Sequence, residues 1–293
     1  MSGPDKTLAI IGLARNTAPH LPGAFAMMER LAATVTLERV IIVTNDNDDG
    51  TDAVLNQARH GPLPLTIINM DGLASEHEQR VDRLAVARQA SLKALFASPS
   101  VPDFTLILDM DGLNNTLDPV VVKRLMDDAH GDWQAVFANQ PNAYFDIYAL
   151  RRPNWCDYNF MPKLNHEWKQ VAGRPRFKKL LSRLNPFDRT PRSRQELKIR
   201  YVHRLQYKIP ADYPWIEVDS AFGGAGLYRT AALRGKTYRS RGSQGMVICE
   251  HVSLHAQMRA EGGRLFIVPW FLNENHEHLD AASGRTFPRE LLT

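Results

Sequence analysis

Thr105-Leu106-Ile107-Leu108-Asp109-Met110-Asp111-Gly112 reads as a buried apolar strand that ends in two carboxylates one residue apart. A short apolar run closed by a turn signal is the pattern of a strand covered on both faces. Strands of that kind build open α/β sheets, whose ligand crevice lies outside the C-terminal strand ends. In extended backbone, residues i and i+2 point the same way, so Asp109 and Asp111 are expected side by side. Two hard oxygen ligands suit Mg²⁺ or Mn²⁺, ions usually shared with substrate phosphates. Asp-x-Asp-Gly is also ordinary turn chemistry, so the rest of the chain decides between the two readings.

Working outward, the pattern repeats. Leu8 to Ala14 is a first buried strand, followed by a helix over Asn16 to Ala33 with Phe25, Met28 and Leu31 near helical spacing. Val40 to Val43 is a second strand, closed by Thr44-Asn45-Asp46-Asn47-Asp48-Asp49-Gly50-Thr51, and Leu63 to Ile68 a third. Glu76 to Phe96 has no internal Gly or Pro and carries Val81, Leu84, Ala85, Leu92 and Leu95, which predicts one long helix. Later, Phe222 to Arg229 is apolar and glycine-rich, Cys249 opens a helix ending near Gly262-Gly263, and Arg264 to Pro269 is a last strand. Strands alternating with helices predict an α/β fold with a mostly parallel sheet covered on both faces.

The chain has 293 residues, a formal net charge of +4 and the apolar and charged fractions of a soluble globular protein. Its two cysteines, Cys156 and Cys249, provide neither a disulfide framework nor a C-x-x-C metal site, which fits a reducing cytoplasm. The run at Leu8 is too short for a signal peptide or a span and ends in Arg15-Asn16. Charge is unevenly placed. Lys163 to Lys208 is rich in Lys and Arg, poor in acids, and interleaved with Trp168, Phe177, Leu181 and Phe187. It reads as an inserted basic segment, spanning about 160–210, that is either a solvated excursion or a surface for an anionic acceptor or an anionic membrane. Nucleic acid is not an expected partner, because no nucleic-acid-binding module accompanies the patch.

Several motifs, in this order and spacing, resemble the GT-A glycosyltransferases, and more narrowly the fungal capsule mannosyltransferases of the cryptococcal type and their bacterial relatives. They are Ala14-Arg15-Asn16, Asn45 to Thr51, Arg80-Val81-Asp82-Arg83-Leu84-Ala85-Val86-Ala87-Arg88, Asp109-Met110-Asp111-Gly112, Tyr144 to Arg151, Phe222 to Tyr228 and Cys249-Glu250-His251-Val252. The resemblance spans about residues 8 to 278 apart from the basic segment. It implies one catalytic domain over 1–293, with a nucleotide-sugar half at 1–150 and an acceptor and catalytic half at 211–293. It implies a metal-dependent transfer of a sugar from GDP-mannose or a UDP-sugar to a surface glycan or glycolipid, carried out in the cytoplasm or peripherally on the inner face of the membrane. A nucleotidyltransferase is the alternative enzyme, disfavoured because the first strand runs into Ala14-Arg15-Asn16-Thr17 and not into a Gly-rich loop. A non-catalytic carbohydrate- or lipid-binding scaffold is the alternative from another class.

The chemistry suits the residues. Charge develops on the departing diphosphate, so a divalent cation and nearby cationic side chains are the principal help available. Asp109 and Asp111 would hold Mn²⁺ or Mg²⁺, and the resemblance implies that His276 or His278 completes the shell. Arg15, Asn45, Asp46 and Asp48, at strand ends, would hold the nucleoside. Arg80 and Arg88 lie near two helical turns apart and can share a face, so one of them would reach the diphosphate or donor sugar unless both are surface charge. Gly223 and Gly224 allow backbone to come close either to the donor or to packed neighbours. Glu250 and His251 stand where inverting GT-A enzymes carry an acidic pair, and the histidine departs from that pattern. Either could act as general base. In a retaining enzyme Glu250 would bind sugar hydroxyls, and a core-facing Glu250 paired to an arginine is the structural alternative.

Overall fold

The computed structural model describes residues 6–128, 131–174, 191, 193–243, 245–274 and 284–292. Eight strands form one sheet: β1 (Thr7–Ala14), β2 (Thr36–Thr44), β3 (Leu65–Asn69), β4 (Phe104–Asp109), β5 (Ala135–Asn139), β6 (Ile216–Val218), β7 (Ala225–Arg229) and β8 (Leu265–Leu272). Their order is β3-β2-β1-β4-β7-β5-β8-β6. Parallel pairing joins β3, β2, β1 and β4 on one side and β5 to β8 on the other. β7 runs antiparallel to β4 and β5, and β6 antiparallel to β8. The expected mostly parallel α/β sheet is present, with two reversed strands added.

The continuous apolar runs fill two cores. In β1, Leu8 and Ile10 face helix α1 (Leu21–Ala32) and helix α5 (Pro119–Asp127), while Ala9 and Ile11 join the layer of helix α4 (Arg80–Ala97). Period-2 alternation therefore serves both faces at once, which is why the strand shows no polar face. α1 begins later than the sequence predicts, because Pro19 and Pro22 delay it and Pro22 fits its first turn. The long helix also begins later: Leu73–Glu76 is a separate turn, α3, and His77 is extended before α4. Helix α2 (Thr51–Ala58), α5, β5 and β6 had no clear signal in the sequence. α5 does carry a local one, Asp118 capping the Val120 N–H with Pro119 at the first helical position.

The basic segment is only partly described, since 175–190 and 192 lie outside the described residues. Its flanks are not an excursion. α6 (Met161–Ala172) and α7 (Arg194–Tyr201) put Leu164, Leu197 and Tyr201 into the core, and half-buried Trp168 packs against that core too. Phe177, Leu181 and Phe187 fall outside the described residues. Among the described residues no helix is long and apolar enough to cross a membrane.

One polar element of the second core carries a pH signature. His255, fully buried on helix α9 (Glu250–Ala260), which follows the short helix α8 (Thr230–Leu233), has its Nδ1 2.9 Å from Ser220 Oγ and its Nε2 2.9 Å from Tyr228 Oη. Burial, with a contribution from nearby Arg88, pushes this imidazole down to about 3 from the ordinary 6.5. The unfolded chain thus binds a proton below pH 6.5 that the folded chain refuses until about pH 3, so stability falls as pH drops through that window. The expected slope from this group is on the order of 1 kcal/mol per pH unit. Denaturant unfolding at pH 7.5 and pH 5 should show the loss, and His255→Asn, which cannot protonate, should flatten it; an unchanged slope in the variant would assign the effect elsewhere.

Candidate active site

Arg88 projects from α4 toward the C-terminal ends of β1 and β4 and joins two distant carboxylates. Its Nε donates to Glu250 Oε1 at 3.0 Å and its Nη2 to Asp109 Oδ1 at 3.1 Å. The guanidinium lies 5.0 Å from the Phe222 ring centroid. Nη1 is buried and finds no hydrogen-bond partner among the described residues. Burial alone would lower this guanidinium's pKa; Asp109 and Glu250 beside it more than reverse that, so it stays charged. Glu250 opens α9, where a carboxylate also benefits from the helix dipole.

The cluster holds more negative than positive charge. Asp109 ends β4, and Asp111 lies just past the strand end. Half-buried Asp146 accepts from the Ala149 N–H at 3.1 Å and the Gly223 N–H at 3.3 Å. Burial pushes Asp109 up to about 7 against the pull of Arg88, with Asp111 and Asp146 adding to the rise. Burial likewise raises Asp146, against those two backbone hydrogen bonds. Beside Glu250, His251 is stacked on Phe222 at 3.9 Å between centroids, and neither ring nitrogen has a hydrogen-bond partner among the described residues. Burial, then Arg88 and His255, hold it well below the usual histidine range, so it is neutral.

These groups line one cleft of about 720 Å³. Of the residues singled out from sequence, Arg15, Asn45, Arg80, Arg88, Asp109, Asp111, Glu250 and His251 line it. Four do not. The Asp46 carboxylate accepts from the Gly72 and Ala74 N–H groups and from Asn45 Nδ2, which lower its pKa and commit it to tying β2 to α3. Asp48 is exposed, and its N–H donates to Asn16 Oδ1. Gly223 and Gly224 adopt φ of +66° and +83°, and a Cβ there would meet Ala138 O at 2.4 Å and Leu113 Cδ2 at 2.1 Å. Their close approach here is to packed neighbours. His276 and His278 lie outside the described residues.

Two features escaped the sequence reading. Asp146 stood inside a quoted motif with no role assigned. Beneath the glycine turn, Asn114 Nδ2 donates to Asp109 O and Gly224 O, Asn273 Nδ2 to Asn114 Oδ1 and Gly223 O, and Gln140 Nε2 to Gly223 O and Asn273 Oδ1. This amide network fixes the turn after β4 against the end of β8. Isolated amides have no periodicity, so no sequence signal marked them. A larger groove of about 930 Å³ lies against α5, Trp215, Phe266 and Trp270. Its charged groups are already engaged, Lys123 with Asp127, Arg264 with Asp132, and Arg124 over Trp270, whereas the clustered carboxylates lie in the smaller cleft.

No family model matches the sequence, and neither does any curated protein. Among solved structures the chain is similar to the mannosyltransferase PcManGT from Pyrobaculum calidifontis, in complex with GDP-Man and Mn²⁺, at 13% identity and TM-score 0.48, covering 92% of this chain and 56% of that one. It is similar to S. aureus TarS at 12% identity and TM-score 0.47, covering 91% and 59%. It is also similar to glucosyl-3-phosphoglycerate synthase from Mycobacterium tuberculosis, in complex with Mn²⁺, UDP and phosphoglyceric acid, at 13% identity and TM-score 0.39, covering 87% and 63%. The chain thus spans a little over half the length of these structures.

Removing Arg88 strands two carboxylates. Arg88→Met is expected to destabilise the fold by about 3–5 kcal/mol, the usual cost of breaking a buried ion pair from one side. Adding Glu250→Gln should recover part of that loss, measurable as a coupling energy in urea unfolding. Strictly additive effects would mean the bridge is not energetically linked.

Proposed function

We propose that this chain is a metal-dependent glycosyltransferase that moves a sugar from a nucleotide-diphospho-sugar, GDP-mannose or a UDP-sugar, to a glycan or glycolipid acceptor. The observation that carries the reading is the set Asp109, Asp111, Asp146 and Glu250 gathered near the buried cation Arg88 in a cleft at the ends of parallel strands. Such crevices are where open α/β sheets bind nucleotides. Burial and mutual repulsion that raise Asp109 and Asp146 mark a centre short of positive charge.

A divalent cation fits that deficit. Among the described residues no group of three or more His, Cys, Asp or Glu could hold an ion by itself. Two carboxylates, Asp109 and Asp111, with the donor's phosphate oxygens make the mixed ligand set usual for Mg²⁺ or Mn²⁺. When bound, the ion would supply offsetting charge for the departing diphosphate. Arg15, Asn45 and Arg80 line the cleft; Arg15 and Asn45 would hold the nucleoside, and Arg80, on α4, would meet the diphosphate. Arg88 keeps Glu250 oriented: Oε1 is held by its Nε, while Oε2 is met at 3.8 Å by the Cys249 thiol, a weak donor, and has lone pairs to spare for a sugar hydroxyl. Neutral His251 walls the cleft through its stack on Phe222 and is a less suitable base than Glu250.

A thermal-shift screen of UDP, GDP, CMP and dTDP with and without Mn²⁺ tests the reading. One nucleotide should raise the melting temperature in the presence of Mn²⁺, by mass action on the folded state, and Asp111→Ala should abolish that shift while leaving the unliganded melting temperature unchanged. No shift with any nucleotide would sink the proposal. Glu250→Gln should keep nucleotide affinity within a few-fold and lower turnover on the order of 10²-fold or more; turnover close to that of the unmutated chain would make Glu250 purely structural.

A further inference from the structure

α7 presents two cations to the same cleft. Arg194 and Lys198 both line it and both are exposed at its mouth. They are four residues apart, so they share one helix face, where like charges repel. Arg194 is also the first residue of the helix, at the positive end of the dipole, where a cation is disfavoured. Neither side chain has a hydrogen-bond or ion-pair partner among the described residues. On the same helix Arg200 is paired to Glu167 at 3.3 Å, so an acid is used where the structure needs one. Leu197 and Tyr201, on the adjoining stripe, are buried in the core and fix the orientation of the helix.

Two local costs accepted at one place, on a helix anchored in the core and without a partner among the described residues, call for an external anion. In the reading above the donor does not need this pair, because Arg15 and Arg80, which also line the cleft, serve it. Resting on the glycosyltransferase reading above, we infer that Arg194 and Lys198 form the acceptor subsite and that the acceptor carries a phosphate group, which the pair clamps while a hydroxyl faces Glu250. Paired cations on a fixed face suit phosphate, with Arg giving directed hydrogen bonds and Lys a point charge. The phosphate is borne by a soluble sugar or polyol phosphate or by a lipid headgroup; the recognition chemistry is the same.

The test uses the full chain and the double variant Arg194→Gln/Lys198→Gln, two exposed positions whose replacement leaves the core intact. Calorimetry on protein loaded with nucleoside diphosphate and Mn²⁺ measures binding of inorganic phosphate and glycerol 3-phosphate, with glycerol as control. Flotation with phosphatidylcholine vesicles, with and without phosphatidic acid, forms the second arm. The expected result is phosphate-dependent binding that falls at least tenfold in the variant, while nucleotide affinity changes less than threefold. Dependence in the calorimetric arm assigns a soluble acceptor, and dependence in the vesicle arm alone assigns a lipid-borne one. Phosphate binding that the variant does not weaken in either arm overturns the inference, and so does a parallel loss of nucleotide affinity, which would place the pair in the donor site. Failure of the unmutated chain to bind any nucleotide would instead sink the glycosyltransferase reading and with it the assignment to an acceptor.

Discussion

The bridge from Arg88 to Asp109 and Glu250 is the constraint on which the site depends. It ties a residue of α4 to the end of the next strand, β4, and to the start of α9, 162 residues further along the chain. A guanidinium suits that task, because its planar fork can direct separate N–H groups at separate carboxylates. Both contacts are short, and the one to Glu250 is removed from water on both sides while Asp109 is half-buried, so losing the arginine leaves charges that nothing else in the described structure neutralises. The same bridge aims Glu250 into the cleft and holds Asp109 against the strand end.

Around this bridge charge is sorted by depth. Carboxylates occupy the floor, where burial and their own repulsion raise Asp109 and Asp146. Cations occupy the rim, on the first loop, on α4 and on α7. A floor that attracts a cation under a rim that attracts anions is complementary to an ion carried between phosphates. The rim's long side chains stay solvated until a ligand arrives, whereas the floor's groups are held by backbone N–H donors and by Arg88.

Rigidity comes from below. The two glycines at φ of +66° and +83° let the turn before β7 press onto Ala138 and Leu113, and the Asn114, Asn273 and Gln140 amides bind that turn to the loop after β4. Buried amides of this kind are costly unless every group is met, and meeting them fixes one arrangement. The position of Asp111 relative to Asp109 is therefore set by packing as much as by the strand.

The chain's apolar runs at Leu8, Val40 and Thr105, and the long Gly- and Pro-free helix, determined a mostly parallel α/β sheet by themselves, because burial on both faces leaves an unbroken hydrophobic stretch that periodicity can detect. The same logic put Asp109 at a strand end, where function is expected. What sequence could not separate was the use of identical residue types for different ends. Asp46 and Asp109 both close apolar strands, yet one caps a neighbouring turn and the other faces Arg88. Glycines 223 and 224 read equally as ligand-facing or packed, and Trp168 as membrane-seeking or core. Those choices were decided only in three dimensions, where partners distant in the chain, Ala138 and Leu113 for the glycines and the main core for Trp168, compete for the same surfaces. Short β5 and β6 and the buried amides likewise draw their stability from neighbours and not from local pattern, which is why the tertiary structure alone revealed them.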